Sequence, residues 1–442
     1  MVDAIREAKD APRLGGRLPV LGHFVSMSRN SLSMFERAHS QLGPVFWCDF
    51  GFGHDTLIVL GEAGMEVFRS KATNSSHLAQ LETFLGKSML VVDGPDHKRM
   101  RGASGHAFTP AGLRRAKVGD IIGETVARRL GEWQGRERVP VVVDTRTIAL
   151  EVIFRVMGVE VDDLQAWSKW YGEYTLGALN LPLEFPGTPL WRAKRARRWL
   201  DERIRKMITT ARSKDDHDSL VGAMVHGRDD QGAGMSEAEL IDNLLILGFA
   251  GHETTASTMA WSMIHLAHHP EYWDQLREQA TALDGVPRDF KVLAERVPIA
   301  VGIFRESLRL YPPVAQDTRL VHAPFEIAGY RVSPGSTVGT SLMLLSRSPD
   351  LYEQPERWLP ERWVDRERKP TPVENCQFGG GAHFCLGYHM ALLEGTMFLV
   401  QAARTLAAWG VRPAPAGAMP KPRFLPLVQP PRKAELRLEK AR

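Results

Sequence analysis

FGGGAHFCLGYHMA, Phe378 to Ala391, is the stretch on which the reading of this chain turns. A lone cysteine, Cys385, sits among glycines just ahead of a helical run, LGYHMALLEGTMFLVQAART. Glycine lets a backbone approach a flat ligand closely, because no Cβ stands in the way. A cysteine needs a lowered pKa to ligate a metal as thiolate, and the free N–H groups of a helix N-terminus are expected to supply it. An inert buried cysteine in a turn satisfies the same local chemistry. These residues taken alone leave both readings open.

Working outward, the bulk properties exclude several classes. The chain has 442 residues, 43% of them hydrophobic and 24% charged, so it can bury a large core without disulfide staples. Its three cysteines, Cys48, Cys376 and Cys385, are odd in number and far apart. That argues against a disulfide framework and for a reducing, cytoplasmic setting. No CxxC pair offers a structural zinc site. The 56 basic and 52 acidic residues leave a formal charge of +4, too small an excess to point to nucleic acid. The opening MVDAIREAKDAPRLGG has no signal-peptide core, and no later run approaches the ~18 apolar residues of a membrane span. A soluble protein with no transmembrane segment is expected.

The pattern along the chain is mostly helical. Residues 44–60 alternate as strands around a glycine turn, 110–280 read as helices, 318–345 return to strand-like runs, and 410–442 suit a short hairpin. The segment 236–269 is the most informative helix. Ser236 and Glu239 form a capping-box pattern at its start, and Pro270 ends it. Its middle, LLILGFAG (244–251), is apolar on every side and should be buried. A polar island follows, His252-Glu253-Thr254-Thr255. Polar groups inside a buried helix are costly unless satisfied or used. Ala250 and Thr254 lie one turn apart on one face. His252-Glu253 is not a zinc-protease motif, because position 256 is Ala where a second His is needed.

FGGGAHFCLG resembles the haem-binding signature of the cytochrome P450 family, Phe-x-x-Gly-x-Arg/His-x-Cys-x-Gly. Phe378, Gly381, His383, Cys385 and Gly387 occupy its defined places. The resemblance implies that Cys385 is the axial ligand of haem b and that His383, where many members have Arg, contacts a propionate. AGHETT, Ala250 to Thr255, resembles the family's oxygen-activating stretch. By that resemblance Thr254 is the alcohol and Glu253 the acid of a proton-delivery pair, with Ala250 against the haem. Such a pair suits the chemistry, since cleaving an O–O bond inside an apolar pocket consumes two protons and the axial thiolate pushes electrons towards that cleavage. GPDHKRMRGASGHAF (94–108) resembles the helix over one haem edge. There His97 and Arg101, four apart, are implied propionate contacts, as is Arg319 after YPPVAQDT. Glu306 and Arg309 with Arg362 of PERW (360–363) match the family's structural clamp. The departures are His383 for Arg, Glu253 for the commoner Asp, Trp363 for Phe, and Ser346-Arg347-Ser348-Pro349 for His-Arg-Asp-Pro.

The resemblance implies a mainly α fold with small β-sheets, the P450 fold, as a single triangular-prism-like domain over 1–442. Its helix-rich core is placed at about 90–310 and 375–410, with small β regions at about 44–70 and 318–345. It implies a monooxygenase that hydroxylates or epoxidises a small apolar substrate. The segments 73–91, 173–190, 244–250, 314–318 and 425–428 are the expected pocket lining, mostly apolar with few charges. Steroid, terpenoid, fatty acid and polyketide-like substrates all stay open. The chain shows no fused reductase and no ferredoxin-type cysteine cluster. A separate ferredoxin with an NAD(P)H-dependent ferredoxin reductase, or a flavodoxin, is therefore expected, docking on the basic residues of 98–117. The alternatives are a peroxide-driven peroxygenase or isomerase on the same fold, or a non-catalytic haem-binding sensor. The Glu253-Thr254 pair sets the monooxygenase ahead of them.

Overall fold

The computed structural model describes residues 5–76, 78, 82–179, 184–364, 366 and 368–441. Its axis is the helix Glu237–His268, called the central helix below. The Ser236 side chain accepts from the Glu239 N–H, and the Glu239 carboxylate accepts from the Ser236 N–H, which completes the capping box. At 1.5 Å per residue its 32 residues span about 48 Å. Leu240 to Ile246 are buried without a break, but of the apolar run 244–251, expected to be buried throughout, Leu247, Phe249 and Gly251 are only partly covered and Ala250 is exposed. Pro270 opens the next helix, Pro270–Thr281, so the chain turns at His269. The helices Val141–Val156, Pro298–Leu310 and Tyr388–Ala408 pack against the central helix. Ile153, Phe304 and Phe398 from these three belong to one continuous core.

Two polar residues inside that buried run have structural work. The Asp242 carboxylate accepts from the Lys87 N–H at 2.8 Å and pairs with Arg197. The Asn243 amide accepts from the Met89 N–H at 2.9 Å and donates to the Glu239 carbonyl at 2.8 Å. Together they pin residues 87–89 onto the central helix. Gly86 beside them has φ +59°, and a Cβ there would lie 2.2 Å from the Asp242 carboxyl carbon, so glycine alone fits.

Three small sheets lie outside the helical core. The largest runs Val45–Asp49, Asp55–Val59, Thr337–Ser341, Gln316–Val321, Thr73–Asn74. Its second and third strands are parallel, with Thr56 opposite Thr337, and the other pairs are antiparallel. Arg6–Glu7, Tyr330–Val332 and Phe325–Ile327 form the second sheet. The predicted strands at 44–60 and 318–345 are thus present, with one correction. Leu342–Leu345 is a helical turn, because the Ser341 hydroxyl caps it by accepting from the Leu344 N–H. The terminal strands Val411–Pro415 and Leu436–Lys440 pair, but across residues 416–435 and not as the short hairpin expected, and Arg138–Val139 joins them from a region read as helical with few strand signals. Among the described residues no helix is long and apolar enough to cross a membrane.

The expected clamp is fully buried. Arg309 donates to both Glu306 oxygens at 2.7 and 2.8 Å, and neither side chain is exposed. Arg309 also donates to the carbonyls of Ser346, Pro355 and Arg357. Glu306 accepts further from the Leu359 N–H, from Arg362 and from the Trp363 indole N–H at 2.8 Å. Trp363 therefore adds a donor that a phenylalanine lacks. The clamp ties the segment 346–363 to the helix Pro298–Leu310.

Candidate functional site

The cysteine loop is held tight by its glycines. Gly379 and Gly381 have φ of +75° and +61°, and a Cβ on Gly381 would lie 1.8 Å from the Phe68 carbonyl oxygen. The Cys385 N–H donates to the Phe378 carbonyl at 2.9 Å, and the Gly387 N–H donates to the Cys385 sulfur. The Phe378 ring meets Tyr388, the first residue of the following helix, edge to face at 4.7 Å. Cys385 itself is only partly covered, whereas Cys48 and Cys376 are buried. Burial pushes the Cys385 thiol above its ordinary range, and the Gly387 N–H with the Arg101 charge offsets this only in part. A coordinated metal ion deprotonates such a thiol outright.

Four cationic or ionisable side chains gather beside the loop. His97 and Arg101 come from the helix Gly94–Gly105, Arg319 from the strand Gln316–Val321 and His383 from the loop. The His97 and His383 rings are 4.1 Å apart. His383 Nε2 lies 2.8 Å from Asp93 Oδ1 and 3.5 Å from the Ser75 hydroxyl. Burial raises the Asp93 carboxyl, but the His383 contact, the Ser75 N–H and the Arg319 charge outweigh it and hold Asp93 below the usual carboxylate range. His97 is driven down to about 4 by burial and then by the charges of His383 and Arg101, so it is neutral at neutral pH. One Arg319 nitrogen donates to Asp317 and to the Thr318 carbonyl, each at 2.8 Å, and its guanidinium lies over the Phe68 ring. Arg101 is half-buried, which lowers its basicity, and among the described residues it has no hydrogen-bond or ion-pair partner. A cation left this way is costly and marks a place for an anion.

Across the core, the central helix carries the predicted polar island. Ala250 is exposed, and Gly251, Glu253 and Thr254 are partly so, within a helix that is otherwise mostly buried. The Thr254 hydroxyl donates to the Ala250 carbonyl at 2.7 Å, the back-bond open to any helical threonine. Glu253 turns away from it, pairs with Arg146 and lies 3.2 Å from His252 Nε2. The expected acid and alcohol therefore do not bond each other directly. Burial raises the Glu253 carboxyl, but His252 and Arg146 more than offset that and hold it low. His252 Nδ1 is 2.7 Å from the Gly248 carbonyl, which can only accept. An open cleft of about 470 Å³, lined by Arg128, Arg146, Glu151, His252 and Arg432 among others, adjoins this pair.

The expected pocket segments meet the same helix. Phe84 stacks on Tyr174 at 4.7 Å and meets Phe249 edge to face at 5.1 Å. The Val428 N–H donates to the Pro313 carbonyl at 2.8 Å, and its own carbonyl accepts from Ser257 of the central helix at 2.9 Å. Residues 77, 79–81 and 180–183 of the predicted lining lie outside the described residues. Three functional neighbours escaped the sequence reading. Asp93 betrays itself only by preceding a helix start, His252 only by standing beside Glu253, and Arg146 shows no local signal.

The cytochrome P450 family model matches residues 12–438. Cytochrome P450 BJ-4 of Bradyrhizobium diazoefficiens is 32% identical over 423 residues, 95% of this chain and 94% of that protein. Cyclooctat-9-en-7-ol 5-monooxygenase of Streptomyces melanosporofaciens is 27% identical, covering 90% of this chain and 89% of its own. The solved structure of retinoic acid-bound cyanobacterial CYP120A1 superposes with a TM-score of 0.83 at 24% identity, over 99% of this chain and 100% of that one. With the signature loop, the fold and these matches in agreement, the chain belongs to the cytochrome P450 family of haem-thiolate monooxygenases.

Proposed function

We propose that this chain inserts one atom of dioxygen into an apolar substrate of the terpenoid class, with Cys385 as the axial ligand of haem b. The observation that carries the reading is the partly covered Cys385 thiol beside Arg101, a guanidinium with no acceptor among the described residues. A dianionic macrocycle suits these surroundings. Arg101, His97 and Arg319 would hold its propionates, with His383 braced by Asp93 at the same edge. Ala250 and Gly251 offer a flat, small surface, and Phe378 and Gly381 frame the loop. The whole chain, 1–442, then serves one cofactor as a single domain. When bound, the haem-thiolate supplies dioxygen activation and the electron push for O–O cleavage.

The chain's own residues manage protons and exclude water. Glu253 collects protons from the cationic cleft, with Arg146 and His252 holding its carboxylate there between turnovers. Thr254 passes them on when its hydroxyl leaves the Ala250 carbonyl. Phe84, Tyr174 and Phe249 keep the substrate side apolar. Among the relatives named above, one acts on cyclooctat-9-en-7-ol and the solved neighbour binds retinoic acid. A taxane 10-beta-hydroxylase of Taxus cuspidata is 25% identical over 86% of this chain. These bulky hydrocarbon skeletons favour the terpenoid class over the linear fatty acids.

Electrons come from a separate ferredoxin or flavodoxin system in this reading. Lys98, Arg115 and Lys117 are exposed and available for docking, whereas the exposed Arg114 pairs with Asp289 at 2.8 Å. Arg99 is taken up by Asp96 and Glu239, and Arg101 faces the cysteine loop, so neither belongs to that surface.

The test is the visible spectrum of the reduced protein under carbon monoxide, for the wild type and Cys385→Ala. A thiolate-type band in the first and its loss in the second support the reading. A histidine-type band in both would overturn it. Spin-state titration with cyclic diterpenes against long-chain fatty acids then tests the substrate class. A response to the fatty acids alone removes the terpenoid assignment.

A further inference from the structure

We propose that Asp215, His217 and His226, none of them part of the cysteine-loop cluster, form a surface site for a divalent transition-metal ion of the zinc class. The three stand where the helix Pro189–Ser213 gives way to the helix Leu220–His226. One ligand atom from each lies within 4.8 Å of the other two. His217 Nε2 is 3.1 Å from Asp215 Oδ1, and the two imidazole rings are 4.1 Å apart. Zinc bonds of about 2.0–2.2 Å set tetrahedral ligand atoms roughly 3.3–3.5 Å apart, so a small inward movement closes the site.

The loop that presents these ligands is fixed by bonds of Asp216 and Ser219, while His226 Nε2 lies 3.4 Å from the Ala211 carbonyl. The Asp216 carboxylate accepts from the Asp218 and Ser219 N–H groups at 2.9 and 3.0 Å, and also from the Ser219 hydroxyl. The Ser219 hydroxyl caps the next helix by accepting from the Gly222 N–H at 3.0 Å. Asp215 holds a left-handed conformation, φ +49°. Asp215 and His217 are exposed, so an ion reaches them directly. His226 lines a cleft of about 460 Å³ with Arg228, Met235 and Ser236, which leaves room for a water as fourth ligand. Arg212 in the same cleft is paired with Glu237. Two imidazoles and one carboxylate suit Zn²⁺, and Ni²⁺ or Cu²⁺ by the affinity order, while Mg²⁺ and Ca²⁺ prefer oxygen donors. A bound ion would clip the interhelical loop to the end of the second helix.

The experiment titrates tag-free, haem-loaded protein with zinc chloride by calorimetry and counts metal after dialysis. One zinc per chain beyond the haem iron is expected, with a thermal midpoint raised by about 1–3 °C. Magnesium chloride should do nothing. His217→Ala and Asp215→Asn, the latter tolerant of a left-handed backbone, should each weaken zinc binding about tenfold or more without changing the haem spectrum. Equal zinc binding by the wild type and both variants, or no saturable binding by the wild type, would overturn the assignment.

Discussion

The Glu306 clamp and the cysteine-loop cluster both bury charge, and they are built on different terms. At the clamp, Glu306 meets Arg309, Arg362, the Leu359 N–H and the Trp363 indole, and Arg309 reaches three further carbonyls. At the cysteine loop, Arg101 has no acceptor among the described residues, and His97 is kept neutral by burial first and then by the charges of His383 and Arg101. The first cluster is complete within the chain. In the proposed reading the second is completed by the haem propionates. A satisfied buried network thus speaks of stability and an unsatisfied one of binding.

The sharpest way to break this contrast is Glu306→Ala. It strands Arg309 in the core, and the expected cost is about 3–5 kcal/mol in equilibrium unfolding. A loss under about 1 kcal/mol would remove the clamp from the argument. Arg101→Gln is the counter-case. Haem retention, followed by transfer to apomyoglobin, should weaken by about 1.5–3 kcal/mol, the worth of a hydrogen bond to a charged group. The haem-free protein should be no less stable than wild type. Equal destabilisation of both forms would make Arg101 structural after all. Thr254→Ala should keep haem binding and stability, while product formed per electron pair consumed falls about tenfold or more. Unchanged coupling would leave its bond to Ala250 as its only role.

A second buried glutamate sharpens the comparison from the other side. Glu394 is buried in the helix Tyr388–Ala408, one of its oxygens has no partner, and burial raises it to about 8. A carboxyl raised in the folded state destabilises as pH climbs above its unfolded value of 4.5, and the cost is full beyond about 8. Glu394→Gln should therefore raise the thermal midpoint at pH 8, with the gain fading as pH falls towards 4.5. A gain independent of pH would show that ionisation is not the cause.

The sequence was legible where one local pattern has one physical outcome. The capping box at Ser236 and the unbroken apolar run behind it foretold the central helix. The glycines around Cys385 foretold a loop pressed against neighbouring backbone, and Gly381 against Phe68 is that contact. Long-range partners were not legible. Arg146 meets Glu253, Asp93 meets His383, and Arg138–Val139 joins the terminal strands, each through pairing that no local window contains. Leu342–Leu345 failed as a strand because a side-chain cap at Ser341 redirected an apolar run that suits either structure.

The pairing of Leu436–Lys440 with Arg138–Val139 has a consequence for how the chain is made. A ribosome releases a polypeptide from its N-terminal end at about 5–20 residues per second. Arg138–Val139 must wait for a partner some three hundred positions later, and Thr56 waits for Thr337 in the same way. Neither sheet closes before its later strand has left the ribosome. The seating of any cofactor that depends on them comes late in synthesis, and a change in Leu436–Lys440 would act on a sheet begun some three hundred positions earlier.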